Sequence, residues 1–250
     1  MKNKAIYYIL VPFLLISNIW LAESNYDSKN ILGTAKINLL SSNVYETSLQ
    51  VTVDDYLLVP TGGEKFKVHI DKGTSLIDEG SPDIPKLSTS IIIPDEANME
   101  IEIINSEYTE YSNVDLSSSK GNITRDIDPS SIPFVYNESY NQNTFYPGKL
   151  AELDSPYIIR ELRGQAVLFY PVQYNPVTKV LRVYNTITID IKSNNSSMTK
   201  NALSRTFSAI SSNHEFMHVY NNLFINSEDD TRFEYIADEG VMLIICYDDF

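Results

Sequence analysis

The chain has 250 residues, 43% of them hydrophobic, and a formal net charge of −14. Binding to nucleic-acid phosphates needs clustered Lys and Arg, so this balance argues against a nucleic-acid partner and indicates solubility rather than a particular ligand. Cys246 is the single cysteine, so no intrachain disulfide can form and the hydrophobic core must hold the fold by itself.

At the N-terminus, Lys2 and Lys4 flank the start of an apolar run from Ala5 to Ile16, followed by Trp20, Leu21 and Ala22 before the first acid, Glu23. A short basic start and a run too brief to span a bilayer predict a secretory signal peptide over residues 1–24, cut after Ala22 or Ser24. An uncleaved anchor is the alternative, because Trp20 is bulky for a position just ahead of a cut. About 225 residues follow, enough for one large or two ordinary domains. From about Ile31 to Ile191 the pattern predicts strands. Ile91-Ile92-Ile93 ends at Pro94, and Met99, Ile101 and Ile103 alternate with Glu100 and Glu102. The stretch from Tyr111 to Phe145 is rich in Ser, Asn, Asp, Pro and Tyr without periodicity, which predicts a long loop; such loops in compact domains are usually functional or disordered.

Gln165–Tyr174 reads as a strand, separated by the turn Asn175-Pro176-Val177-Thr178 from a second one. There Leu181, Val183, Ile187, Ile189 and Ile191 all fall at odd positions, a period of two with one face buried. These two strands predict a hairpin. Short strands, polar turns and no long helical period predict a mainly β fold, an antiparallel β-sandwich of jelly-roll-like type. A polar linker, Ser193–Asn201, leads into Phe207, Ile210, Met217, Tyr220 and Phe224, whose spacing predicts a short C-terminal helix reaching Asn226. After the acidic Glu228-Asp229-Asp230 and Arg232, a new apolar strand runs from Gly240 to Cys246, with Phe250 four residues beyond. One strand cannot bury a core, so a second domain is expected to start there.

Three motifs invite a chemical reading. His214-Glu215-Phe216-Met217-His218 satisfies H-E-x-x-H, in which two histidines one turn apart bind zinc and the glutamate activates water. The histidines and Glu215, however, fall beside or beyond the apolar stripe of that helix, and His69 is far upstream in a predicted strand, so a solvated helix face is expected and no metal. Cys246 sits in an apolar strand, where a thiol is ordinarily an inert small hydrophobe. Asn122, Asn137, Asn194 and Asn195 head N-x-S/T sequons that chance explains in an asparagine-rich chain. No EF-hand spacing occurs, and no cofactor is expected. Two isolated arginines remain: Arg125, inside the long loop and ahead of Pro129, and Arg232, in an exposed linker of the kind proteases prefer.

Lys120-Gly121, Ile123-Thr124-Arg125-Asp126, Asp128-Pro129, Ile132-Pro133-Phe134-Val135, Ser139–Asn143 and Phe145-Tyr146-Pro147-Gly148 resemble the proregion of the arginine-specific gingipains, secreted bacterial cysteine proteases. The resemblance continues through Arg163-Gly164-Gln165, Tyr174–Lys179 and Leu181–Tyr184, and upstream through Gly80-Ser81-Pro82-Asp83-Ile84-Pro85, covering roughly residues 50 to 250. It implies a propeptide domain over residues 25–232 and the start of a caspase-like α/β peptidase domain over 233–250, with that domain as partner in cis and no membrane partner once the signal is removed. It further implies Arg125, beside Asp126, as the inhibitory residue for the specificity pocket. Arg232, followed by Phe233, is implied as the processing site. The catalytic His and Cys would lie beyond Phe250, so no catalytic residue is assigned, and export through the periplasm to the cell surface or medium is implied. The alternative from another class is a secreted adhesion or carbohydrate-binding module with no protease attached.

Overall fold

The computed structural model describes residues 34–194, 199–204, 210–211, 214–228 and 233–234, the backbone alone for 210–211, 214–215 and 233–234. The expected signal peptide, Arg232 and the strand expected from Gly240 lie outside the described residues. The strands in chain order are β1 (Ala35–Ser42), β2 (Glu46–Val53), β3 (Leu57–Gly62), β4 (Lys65–His69), β5 (Thr74–Ser75), β6 (Pro85–Ile92) and β7 (Asn98–Tyr111). After a long irregular stretch come β8 (Ala151–Leu153), β9 (Tyr157–Ile159), β10 (Leu162–Phe169), β11 (Val172–Asn175) and β12 (Val180–Asn194). The helix α1 (His214–Leu223) lies between two-residue strands β13 (Ile210–Ser211) and β14 (Phe233–Glu234).

The spine of the first sheet is β12. Its odd residues Leu181, Val183, Ile187, Ile189 and Ile191 are all buried, as the period of two requires. On one side it pairs antiparallel with β2, whose Leu49 and Val51 face the same core, and with β11; β1 extends the sheet beyond β2. On the other side lies β7, in register from Tyr111 opposite Leu181 to Asn98 opposite Asn194. Here the expected alternation holds only in part. A register shift between Thr188 and Ile189 leaves Ile104 unpaired, and Ile103 and Ile104 are 40% and 51% exposed while Met99 and Ile101 remain half-buried. A bulge turns the strand and lifts its side chains off the core.

The second sheet has β10 at its centre, paired antiparallel with β6 on one side and with β8 and β9 on the other, and β5 extends it beyond β6. Both sheets contribute to one core, Leu49, Val51 and Ile189 from the first and Leu87, Ile91, Val167 and Phe169 from the second. Each such side chain contributes about 1.5–3 kcal/mol by leaving water. The expected strand Gln165–Tyr174 is two strands. It breaks at Tyr170-Pro171, where proline has no N–H for a ladder, and the chain crosses from the second sheet to the first. The hairpin is therefore β11–β12, closed by Asn175, whose Oδ1 accepts from the N–H groups of Val177 and Thr178 at 3.1 and 3.2 Å.

The C-terminal helix is shorter than its spacing predicts. Ile210, placed in the helix by sequence, lies instead in β13, which pairs parallel with β14, and helix begins only at His214. Tyr220 and Phe224 bury their rings against Ile92 and Leu162. Gly164 makes room for this, since a Cβ there would stand 2.5 Å from Phe224 Cε1. Next to it Arg163 is fully buried. Its guanidinium donates to four carbonyl oxygens, those of Pro94 (2.7 Å), Ala97 (2.5 Å), Lys200 (2.7 Å) and Asn201 (2.9 Å), and so ties the end of β6 to the segment after β12. Burial pulls its pKa below the ordinary arginine value. Arg163→Met leaves those carbonyls unpaired and should lower unfolding stability by about 3 kcal/mol or more in a urea titration, with Arg163→Lys recovering only part because an ammonium lacks the fork.

Candidate functional site

The long irregular stretch after β7 starts as an inserted segment with isolated bridges at Leu116 and Ser118. Residues 114–119 thread between β4 and the segment Gly80–Asp83, with Phe66 N–H on Asp115 O (3.0 Å), Ser117 N–H on Phe66 O (2.8 Å) and Asp83 N–H on Ser117 O (3.0 Å). Leu116, Ser117 and Ser118 are fully buried. The Tyr174 hydroxyl, at the end of β11, donates to Val114 O at 2.8 Å, and the Tyr140 hydroxyl donates to Leu116 O at 3.1 Å. Most backbone groups on this path that lose water gain a partner, which lets an irregular segment enter the core, while the buried Ser118 hydroxyl has none among the described residues.

Beyond Ser119 the chain leaves the body for residues 120–136 and returns at Asn137. Both feet are fastened to one dipeptide. Gly80 N–H donates to Ser119 O (2.9 Å) and Gly80 O accepts from Asn137 N–H (3.0 Å), while Ser81 O accepts from Ser119 N–H (2.7 Å). The Asn137 amide adds bonds to Glu79 O (3.0 Å) and Ser81 Oγ (2.8 Å). Gly80 has φ +83°, and a Cβ there would stand 2.9 Å from the Asn137 backbone nitrogen, so conformation and space both demand glycine. The result is a loop of the Ω type with closely spaced, fixed ends.

Inside it, Ile127 N–H bonds Thr124 O at 3.2 Å and closes a turn with Arg125 and Asp126 at its centre. Asp128 caps the 3-10 turn Pro129–Ser131, accepting from Ser130 N–H (2.9 Å) and Ser130 Oγ (2.7 Å). Lys120 Nζ crosses the base to Pro129 O at 2.7 Å and lies 4.3 Å from the centre of the Phe134 ring. Arg125 is exposed, and its guanidinium makes no hydrogen bond or ion pair among the described residues. Hydrogen bonds from Thr124 and from its own N–H hold the Asp126 carboxyl below its usual range, and those from the Ser130 hydroxyl and N–H do the same for Asp128. The tip thus offers one cation, unengaged among the described residues, followed in the chain by two ionised carboxylates on a stiffened turn.

The anchors beneath are polar as well. Burial alone would raise the Asp115 carboxyl, but Lys179 at 2.6 Å and Lys65 at 3.3 Å hold it below its ordinary value. Lys65 also lies 4.5 Å from the Tyr136 ring centre on the returning limb. Tyr146 donates to Asp78 at 3.1 Å, and burial first, then that carboxylate, push its hydroxyl up to about 12. Under the loop lies a cleft of about 410 Å³.

Of the residues singled out in the sequence, Arg125 and Asp126 share the loop tip. Arg232 lies outside the described residues, and Phe233 begins the β14 ladder. His218 is exposed, the side chains of His214 and Glu215 lie outside the described residues, and no group of three metal-ligating side chains occurs among the described residues. Sequence reasoning missed the clamp. Gly80-Ser81-Pro82 enters only through the resemblance, and Asn137 only as the head of a sequon; nothing periodic connects positions 57 residues apart.

A family profile described as Propeptide_C25 matches residues 39–232. Gingipain R1 of Porphyromonas gingivalis is 39% identical over 213 residues, a match covering 84% of this chain and 19% of that protein. Gingipain R2 of the same organism is 33% identical over 221 residues, covering 84% of this chain and 29% of the relative. The chain therefore spans less than a third of the length of these relatives. A solved complex of the P. gingivalis RgpB pro- and mature domains superposes with a TM-score of 0.70 at 33% identity, over 77% of this chain and 97% of that one. A structure concerned with zymogenic latency of gingipain K, at 22% identity and a TM-score of 0.55, shares the fold.

Two outcomes follow from the clamp and its anchors. Gly80→Ala should cost about 1–3 kcal/mol and speed backbone amide exchange across residues 120–137 while leaving β2, β10 and β12 protected; unchanged exchange in the loop contradicts the clamp. Because the Asp115 carboxyl is depressed, its contribution is full above the ordinary carboxylate range and lost as pH falls through the lowered value. Asp115→Asn should accordingly narrow the gap in thermal midpoint between neutral and acidic solution.

Proposed function

Because the chain belongs to the Propeptide_C25 family, we propose that it is the proregion of an exported zymogen, one that chaperones and inhibits a gingipain-like cysteine endopeptidase in cis. In this reading residues 1–24 are the signal peptide, 25–232 the propeptide domain and 233–250 the start of the peptidase domain. The protein passes through the periplasm to the cell surface or medium. The family match supports this over a free-standing adhesion or carbohydrate-binding module.

Arg125 is the residue that enters the specificity pocket. A pocket selective for arginine needs a buried carboxylate facing the guanidinium fork, and such a pair forms short charge-assisted bonds. The observation that supports this assignment most is the exposed, unpaired Arg125 guanidinium on a turn whose two feet are clamped to Gly80 and Ser81. A group already held in its bound conformation loses little entropy on docking. Tethering adds to this, since a domain joined to its target acts at high effective concentration and a moderate loop affinity then blocks the site. Cleavage between Arg232 and Phe233 removes the tether. Both assigned residues are arginines, so one specificity serves inhibition and autoactivation.

Titrating the cognate catalytic domain with residues 25–232 tests the assignment: Arg125→Ala should raise the inhibition constant by on the order of 100-fold or more, and an unchanged constant would remove Arg125 from the mechanism. In the zymogen, Arg232→Ala should abolish release of a mature chain starting at Phe233, read by N-terminal sequencing. Continued release there refutes the processing site.

A further inference from the structure

On β10 the alternate residues Arg163, Gln165, Val167 and Phe169 share one face and are all buried. Val167 and Phe169 join the apolar core, and Arg163 donates to four carbonyls. Gln165 is only half accounted for. It is 5% exposed; its Nε2 donates to Asp154 O at 2.6 Å, while its Oε1 is buried and accepts no hydrogen bond among the described residues. A leucine or methionine would fill the same place without the cost of an unpaired buried carbonyl oxygen. An acceptor kept there calls for a donor from outside the chain.

Gln165 lines a cavity of about 350 Å³ between the start of β7 in the first sheet and the β8–β9 turn of the second. Small-molecule sites begin at about 300 Å³, so the space exceeds what one water needs. Met99, Leu153 and Pro156 give it apolar walls, and the exposed Glu100, Asp154 and Lys200 stand around it. Glu100 Oε1 accepts from the Asn194 amide and Asp154 Oδ1 from the Ser155 N–H at 2.6 Å; the second oxygen of each carboxylate and the Lys200 ammonium have no bond among the described residues. This set decides the class of ligand. A metal cation would find two carboxylates but also Lys200 in the lining, with the Arg163 guanidinium two positions from Gln165 on the same face. An anion would meet Glu100 and Asp154, and a purely apolar molecule would leave Gln165 Oε1 unpaired. A hydroxyl group donates and accepts at once, so it suits an acceptor at the base and a rim that mixes acceptors with a donor. We propose that this cavity binds a sugar ring, one hydroxyl donating to Gln165 Oε1, its neighbours reaching Glu100, Asp154 and Lys200, and its C–H face against Met99, Leu153 and Pro156. The site shares no lining residue with the cleft beneath the Arg125 loop, and the inference goes beyond the proregion reading without depending on it.

The test is an NMR titration of the nitrogen-15-labelled protein with the methyl glycosides of glucose, galactose and mannose. At least one should shift the Gln165 side-chain amide and the backbone amides of residues 98–100 and 153–155 along a saturating curve, with half-saturation on the order of 1–10 mM. Gln165→Leu should abolish these shifts without lowering the thermal midpoint. Glu100→Gln and Asp154→Asn change exposed side chains only, and each should weaken binding about fivefold; if Gln165→Leu proves unstable, these two variants decide. Calcium chloride is the control titrant. Saturable shifts of the same amides by calcium and by no glycoside would make this a cation site and overturn the proposal. No saturable shift with any of the three glycosides, water alone then serving Gln165 Oε1, overturns it as well, and so do rim variants that bind as the parent does. No catalytic domain takes part in the measurement, so failure here leaves the proregion reading as it stands.

Discussion

Two adjacent residues, Gly80 and Ser81, hold both ends of the loop that carries Arg125. The bonds are backbone to backbone at three of their contacts, so they do not depend on side-chain choice, and the glycine conformation that permits them is closed to other residues by the Asn137 backbone. Without this closure, seventeen residues of polar chain would leave the body at Ser119 and return with no fixed geometry. The entropy of holding them would then be charged against every docking event.

The rest of the fold supplies the platform for that clamp. Residues 80–83 are held by the inserted segment 114–119, which is held in turn by the Tyr174 and Tyr140 hydroxyls and by Phe66. Tyr174 lies near the end of β11, the strand that the chain reaches by crossing between sheets at Pro171. The two sheets, their shared core and the irregular segment therefore form one connected support. In the proposed mechanism this makes the loop a rigid ligand, and a ligand released by cutting a tether rather than by melting its own scaffold.

The elements legible in the sequence were those set by short-range pattern. The alternation of Leu181 to Ile191 placed β12 and its buried face correctly, and the Asn175-Pro176 turn placed the hairpin. Where the pattern misled, a long-range or local backbone effect had overruled it. Ile103 alternates correctly but sits at a bulge. Gln165–Tyr174 looks continuous because apolar residues run through it, although Pro171 and the change of sheet divide it. Ile210 has helical spacing yet pairs with Phe233 in a parallel ladder. For the site, composition marked the loop and resemblance marked Arg125. The clamp itself depends on pairing between residues 80, 119 and 137, and no local signal encodes contacts of that range.

The account's central claim is that the clamped loop is what the catalytic domain covers. Amide hydrogen exchange of the prodomain, alone and bound to its catalytic domain, reads this most directly. New protection is expected to be concentrated in residues 120–136, with exchange in β12 and along the open edge of β7 unchanged. Protection that appears along β7 or over α1 while residues 120–136 exchange as freely as in the unbound protein would contradict it.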